Sequence, residues 1–200
     1  GRDLSVTSAG DVTQAGPVTA GGETTLAAAG QDVTLDNAGN DFAGVVNATA
    51  DDIALVDANA LALGTVAAGG TLSATARGGS LTDTAGRSVT ATGATALVAG
   101  DGTTAFDIAL DNDRTAAGAH DFADTVTATG GDIALADATA LDARIDARAN
   151  ADGTIAGNGD AALAAAAASV GGTAARDVTV ASATGATVLG AGGSLAAGRD

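Results

Sequence analysis

The apolar residues of this chain recur as pairs separated by one small or polar residue. Two apolar residues at positions i and i+2 lie on one face of a β-strand, and the residue between them lies on the other face. The pattern predicts many short strands, with Ser, Thr or Ala facing outward and with Gly, Asp and Asn in tight corners. The clearest triplets are Leu4-Ser5-Val6, Val33-Thr34-Leu35, Ile53-Ala54-Leu55, Ile108-Ala109-Leu110, Ile133-Ala134-Leu135 and Val178-Thr179-Val180.

The strands follow one another at a nearly constant spacing. Their apolar anchors recur in steps of 21, 20, 19, 17, 19, 25, 22 and 23 residues. A period near 20 that tolerates insertions predicts an all-β fold, a parallel β-helix (β-solenoid) of about nine or ten coils, because units this short bury their apolar faces only against their neighbours. The anchors are Val12, Val33, Ile53, Leu72, Val89, Ile108, Ile133, Ile155 and Val178.

A longer repeat is superimposed on this spacing. Residues 41–61 match residues 121–141 at 14 of 21 positions. We expect equivalent residues, such as Ile53 and Ile133, to occupy equivalent environments in a thin aliphatic core. Upstream of the second copy, Arg114–Gly118 is interpreted as an insertion. Phe42 and Phe122 are the repeated large side chains and are predicted to be plugs in that core.

Two segments test the strand prediction. As a helix, Leu141–Arg148 would place like charges four residues apart, whereas a strand alternates their signs on the outer face. We therefore predict a strand there. Ala161–Ala168 is almost pure alanine, the best helix former, so both a slim coil and a short surface helix remain open.

Composition excludes several classes of partner. The formal net charge is −16, and the chain has no Cys, Met, Trp or Tyr. Such a surface repels phosphate backbones and anionic lipids, so we predict no nucleic-acid partner. No apolar run is long enough to span a membrane, so we predict no membrane insertion. The lack of Cys excludes disulfides and thiolate metal sites.

Candidate chemistry is sparse. Carboxylates are paired at Asp51/Asp52 and Asp111/Asp113, but glycoside hydrolysis needs two carboxyls facing each other across a sugar. Neighbours on one strand point to opposite faces. The only histidine, His120, corresponds to Asn40 in the first copy and is interpreted as a polar residue of a surface loop. We predict no enzyme activity and no catalytic, cofactor-binding or metal-binding residues.

Several segments resemble the haemagglutinin-type repeats of filamentous-haemagglutinin-like adhesins, which are large bacterial exoproteins of two-partner secretion systems. The resemblance spans most of the chain, most clearly residues 22–141. It implies a right-handed β-helix, export through an outer-membrane transporter, and a location outside the cell or on the bacterial surface. The segments are GRDLSV at Gly1–Val6, LDNAGNDFAG at Leu35–Gly44, AGGTLSATARGG at Ala68–Gly79 and GGDIALADATAL at Gly130–Leu141.

Three functions are compatible with these patterns. The first is a structural shaft that displays a binding or toxin module, with neighbouring coils of the same chain as its main partners. The second is an adhesive face for a host-surface or cell-surface glycan or protein, and the third is a polysaccharide-cleaving enzyme. Residues 1–200 are predicted to be one solenoid segment. Because Gly1-Arg2-Asp3 recurs as Gly198-Arg199-Asp200, we expect the segment to be a piece of a much longer chain.

Overall fold

Every regular element of the described chain is a β-strand. The computed structural model describes residues 1–110, 120–131, 133–136, 140–147, 161–165, 167–174, 178–182 and 195–197, with side chains over 1–110, 120–131 and 133–135. The strands are β1 (Leu4–Thr7), β2 (Val12–Thr13), β3 (Thr19–Ala20), β4 (Thr24–Ala28), β5 (Val33–Leu35), β6 (Asp41–Phe42), β7 (Val46–Ala50), β8 (Ile53–Asp57), β9 (Leu61–Ala68), β10 (Leu72–Ala76), β11 (Leu81–Asp83), β12 (Val89–Ala91), β13 (Thr95–Ala99), β14 (Ile108–Leu110), β15 (Asp121–Phe122), β16 (Val126–Gly130), β17 (Ile133–Ala136), β18 (Ala140–Ala147), β19 (Ala161–Ala165), β20 (Ala167–Ala174), β21 (Val178–Ser182) and β22 (Leu195–Ala197).

The chain winds between parallel sheets. The first sheet has the order β1-β4-β7-β9-β11-β14-β17-β19-β21, with β12 and β15 attached beside β9. The second sheet has the order β2-β5-β8-β10-β13-β16-β18-β20-β22, and β3 pairs with β6 in a third. Strands that pair are about one turn apart along the chain, and all of them run in parallel. The predicted parallel β-solenoid is confirmed.

The number of turns differs from the prediction. From β1 to β17, the part of the chain described with side chains, the structure shows about six turns, fewer than the nine or ten predicted coils. The first turns have the predicted length, since Val12 pairs with Val33 and Val33 with Ile53. Later turns are longer, because Leu81 pairs with Ile108, which lies 27 residues further on. The period is therefore not constant at 20 residues, and the predicted anchor Ile155 lies outside the described residues.

The two copies of the long repeat lie in different sheets. Ile53 belongs to β8 in the second sheet, whereas Ile133 belongs to β17 in the first. Each is 1% exposed, so the inward orientation is shared. Their environments nevertheless differ, because the two residues belong to different sheets. The expectation that they occupy equivalent environments was wrong in this respect. The 80 residues between them make about three and a half turns, and both sheets accept the motif because both alternate inward and outward residues.

Some turns carry a third strand, and these turns hold the large side chains. The third strands are β3, β6, β12 and β15, of which β3 pairs with β6, and β12 pairs with β15 and with the end of β9. Phe42 lies in β6 and Phe122 in β15, and both are fully buried. A third side widens the cross-section beyond what Val, Leu and Ala fill. The prediction that Phe42 and Phe122 plug the core is confirmed.

The two test segments are both strands. Leu141–Ala147 lies in β18, as the charge alternation predicted. Ala161–Ala165 forms β19 and Ala167 begins β20, so the helical alternative for Ala161–Ala168 is wrong over these residues. Each strand is hydrogen-bonded to a neighbour, because β19 pairs with β17 and β20 with β18. Tertiary pairing therefore overrides the helix propensity of alanine.

Two threonines face inward among aliphatic neighbours. Thr24 pairs between Leu4 and Val46 in the first sheet. Thr95 pairs between Leu72 and Val126 in the second. Both side chains are buried, and neither hydroxyl has a hydrogen-bond partner. The desolvation of a buried hydroxyl without a partner is not offset by any hydrogen bond.

We expect Thr24→Val and Thr95→Val each to raise the free energy of unfolding by about 1 kcal/mol, because the methyl group fills the same space without the desolvation cost. Urea denaturation followed by far-ultraviolet circular dichroism measures the change. Thr25→Val, on the exposed face of the same strand, is the matched control and should change stability little. A loss of stability in both inward variants would contradict the assigned inward positions.

Candidate functional site

The corners between the first and second sheets are held by a ladder of aspartates. Asp11 Oδ1 accepts a hydrogen bond from the backbone N–H of Asp32 at 3.1 Å, and Asp32 Oδ1 accepts from Asp52 N–H at 3.1 Å. Asp52 Oδ1 accepts from Thr71 N–H at 2.7 Å and from its hydroxyl at 2.9 Å. Each carboxylate thus binds a corner N–H of the following turn, where the strand ladder offers no carbonyl.

The ladder changes the interpretation of Asp51 and Asp52. They lie in the corner between β7 and β8 and not on a strand, and both are exposed. Hydrogen bonds from Thr71 lower the pKa of Asp52, since they favour the ionised form. Because Asp52 is engaged by the next turn, the pair does not face across a cleft. The other predicted pair, Asp111/Asp113, lies outside the described residues.

Glycine is required directly above the ladder. A Cβ at Gly70 would overlap Asp52 Oδ1, and a Cβ at Gly22 would overlap Asp3 Oδ1. Asp3 Oδ1 accepts from Glu23 N–H at 3.0 Å, so the opposite corner uses the same device. Gly22 and Gly70 therefore leave space for a carboxylate from the preceding turn.

We expect Gly70→Ala to displace the Asp52 carboxylate from Thr71 N–H, so that the pKa of Asp52 rises back toward its ordinary value. Carboxyl ¹³C chemical shifts followed during an acid titration measure this. Gly10→Ala is the control, because a Cβ at Gly10 would meet no atom within 4 Å. An unchanged Asp52 titration in Gly70→Ala would show that the ladder does not depend on the glycine.

A second kind of corner is closed by a buried amide. Asn40 is fully buried, and its Oδ1 accepts from Val18 N–H at 2.9 Å and from Gln14 Nε2 at 2.7 Å. Its Nδ2 donates to Gln14 Oε1 and to Leu35 O, each at 3.0 Å. The segment between β2 and β3 is thus tied at both ends. We name Gln14, Val18 and Asn40 the Asn40 latch.

His120 closes the equivalent corner in the second copy. Its Nδ1 accepts from Val89 N–H at 2.9 Å, and its Nε2 lies 2.9 Å from Asp83 Oδ2. The ring stacks on Phe122, with 6.1 Å between ring centroids. Asp83 ends β11 and Val89 begins β12, so His120 ties both ends of the turn between them. We name Asp83, Val89 and His120 the His120 latch.

The prediction of a surface-loop His120 was wrong. The side chain is 0% exposed, as is that of Asn40. Both precede an Asp-Phe pair that forms a third strand. Asn40 accepts the N–H of Val18, just before β3, and His120 accepts that of Val89, the first residue of β12. The sequence alignment of Asn40 with His120 contained this signal, because shared polarity before a buried Phe indicates an internal cap as much as a surface corner.

Asp57 was not among the residues predicted from the sequence. This carboxylate is fully buried, and its Oδ2 accepts from Phe42 N–H at 2.9 Å and its Oδ1 from Asn59 N–H at 2.7 Å. Strand β6 has no third strand above it, so Asp57 satisfies the N–H that a further strand would have used. Desolvation by burial raises the pKa of Asp57, although the two N–H donors oppose the shift.

We expect Asp57→Ala to cost about 1–3 kcal/mol of stability near pH 4, because Phe42 N–H is left buried without an acceptor. A carboxyl whose pKa is raised on folding holds its proton more tightly in the folded state. Its contribution is therefore fully present below the unfolded pKa and is lost as pH rises through the folded pKa. The cost of Asp57→Ala should therefore shrink as the pH rises through the folded pKa of Asp57.

Urea denaturation of the wild type and of Asp57→Ala at a series of pH values measures the cost of the substitution. Asp36→Ala, at an exposed corner position, is the control for removing one negative charge. A destabilisation by Asp57→Ala that grows with pH would contradict the assigned direction of the shift.

The chemistry available to these side chains is structural capping. Asn40, Asp57 and His120 each bind backbone groups of an adjacent turn or corner. In the part of the chain that the structure describes, no group of three or more His, Asp or Glu side chains is placed to hold a metal ion. Nor does a helix long and apolar enough to cross a bilayer occur among the described residues. The insertion at Arg114–Gly118 lies outside them.

A model of a family described as repeats of unknown function (DUF5649) matches residues 1–49 and 50–129. The two adjacent matches cover more than half of the chain. No curated protein and no solved structure matches the sequence. The match agrees with the tandem turns of the solenoid and carries no description of activity.

Proposed function

The chain belongs to the DUF5649 family of repeats of unknown function, and we propose that this segment acts as a stiff spacer, the shaft of a large bacterial surface or secreted protein. The observation that carries the proposal is the use of buried polar groups. Asn40, Asp57 and His120 lie inside the solenoid, and each bonds to the backbone that shapes it. Groups arranged in this way fix the shape of a rod.

The core supports the same role. The buried side chains form one continuous cluster of Val, Leu, Ile, Ala and Phe that runs through the turns from Ala20 to Leu135. Hydrogen bonds between parallel strands, with aspartate-capped corners, connect each turn to the next. Because every turn is fixed to its neighbours by backbone bonds and apolar contact, bending at one point disrupts both.

The adhesin resemblance adds three further parts to this proposal: a right-handed coil, export through an outer-membrane transporter, and display outside the cell. The acidic surface, with a formal net charge of −16, favours a shaft that stays soluble and apart from anionic membranes. The alternative is a glycan-binding or protein-binding face on the solenoid itself, and the test below distinguishes it.

Thr13 and Thr127 suit a test of stiffness. Both are exposed on the second sheet, and register links Thr13 through Thr34, Ala54, Ser73 and Ala96 to Thr127. Five steps of about 4.8 Å predict Cα atoms about 24 Å apart. The chain has no cysteine, so spin labels on Thr13→Cys and Thr127→Cys report only this distance.

Pulsed electron paramagnetic resonance should give one narrow distance distribution. A broad distribution would contradict the spacer. Binding is tested in parallel with a glycan array and immobilised host-cell surface proteins, comparing the wild type with a Thr25→Lys/Thr49→Lys variant altered on the outer face. Saturable wild-type binding that this variant loses would favour the adhesive face and overturn the spacer proposal.

A further inference from the structure

The two latches close the same kind of corner with different chemistry. In the Asn40 latch the acceptor for Val18 N–H is an amide oxygen, which keeps its lone pairs at any pH. In the His120 latch the acceptor for Val89 N–H is an imidazole nitrogen. Imidazole changes its charge at roughly pH 5 to 8. Only one of the two equivalent corners is therefore built on a titratable acceptor.

The hydrogen bonds fix the tautomer of His120. Because Val89 N–H donates to Nδ1, that nitrogen carries no proton, and the ring proton lies on Nε2 and donates to Asp83 Oδ2. A second proton can bind only at Nδ1. It would replace the acceptor by a donor that faces Val89 N–H at 2.9 Å inside the core. The bond between His120 and Val89 cannot survive this protonation.

The charged residues around His120 determine which hydrogen bond of the latch survives protonation. Asp83 at the end of β11 faces Nε2, Arg87 lies in the turn that His120 spans, and Asp121 follows His120 on β15. Asp83 can keep its bond to Nε2 in both protonation states of the ring. Protonation therefore keeps the Asp83 end of the latch and breaks the Val89 end.

The corner itself is suited to local opening. Thr84 O accepts from Arg87 N–H at 3.0 Å, and Gly86 has a φ of 74°, so residues 84–87 form one tight turn. Its far end leads into β12, a strand of three residues. Strands β11 and β13 on either side are paired independently with β14 and β16. Release of Val89 therefore does not require the neighbouring turns to separate.

We propose that the His120 latch is an acid-sensitive joint: protonation of His120 releases Val89 and loosens the corner at residues 84–89, while the rest of the solenoid stays folded. The proton is the ligand, and the Asn40 latch is its pH-insensitive counterpart in the same molecule. A shaft and a binding face would both possess this local equilibrium.

Hydrogen exchange of individual amides in the whole chain tests the joint. Protection factors, corrected for intrinsic exchange, are measured by ¹⁵N–¹H spectra at about pH 7.5 and about pH 5. We expect the protection of Val89 N–H to fall at least about tenfold at the lower pH, with Val18 N–H unchanged. In His120→Asn, which copies the Asn40 latch, Val89 should show no such fall.

The reciprocal variant should transfer the acid sensitivity to the Asn40 latch. His120 is the only histidine, so Asn40→His/His120→Asn places the single imidazole in the first latch, and acid-dependent exchange should move to Val18. If either variant fails to fold, the wild type alone decides the question. Long-range ¹⁵N spectra of His120 should then show Nδ1 gaining its proton with the same pH midpoint as the loss of Val89 protection. Unchanged Val89 protection at low pH, or an equal loss in His120→Asn, would overturn the proposal.

Discussion

The structure depends on the register between successive turns. Parallel strands fix which residue lies above which, so Val33, Ile53 and Leu72 form one inward column in the second sheet. Once that register is set, each inward position has a neighbour above and below it, and the core can be built from small aliphatic side chains. A slip of one residue would move the column to the outer face. The regular spacing of β-branched and leucine residues in the sequence specifies this register.

At the corners, strand pairing alone does not satisfy every backbone N–H group. The N–H groups of a strand donate to carbonyls of a neighbouring turn, whereas some N–H groups at a corner have no carbonyl acceptor. The chain supplies these acceptors from side chains of an adjacent turn: aspartate at the exposed corners, and Asn40, His120 and Asp57 inside. Gly70 leaves room for the carboxylate of Asp52, and Gly22 for that of Asp3. Many of the polar residues in this chain thus hold its shape, and their abundance does not by itself indicate a site.

Local patterns in the sequence predicted the strands, the inward residues and the paired phenylalanines correctly, because each depends only on alternation within a few residues. The phase of the long repeat could not be predicted, since both sheets accept the same alternating motif and Ile133 fits either. Burial of His120 was missed because its partner, Val89 N–H, lies 31 residues away. Asp57 was missed for the same kind of reason, as it serves the unpaired edge of β6. Caps of this kind belong to the stacking of turns, which no short window of sequence contains.

The most direct test of the register is a disulfide between stacked outward positions. Thr34 and Ala54 are paired neighbours on β5 and β8. The spacing of about 4.8 Å between paired strands lies within the Cα separation that a disulfide accepts. The chain has no native cysteine, so Thr34→Cys/Ala54→Cys should oxidise to an intramolecular disulfide, whereas Thr34→Cys/Ser73→Cys, two turns apart, should not. Free thiols in the first pair, or efficient bridging in the second, would contradict the stacked solenoid.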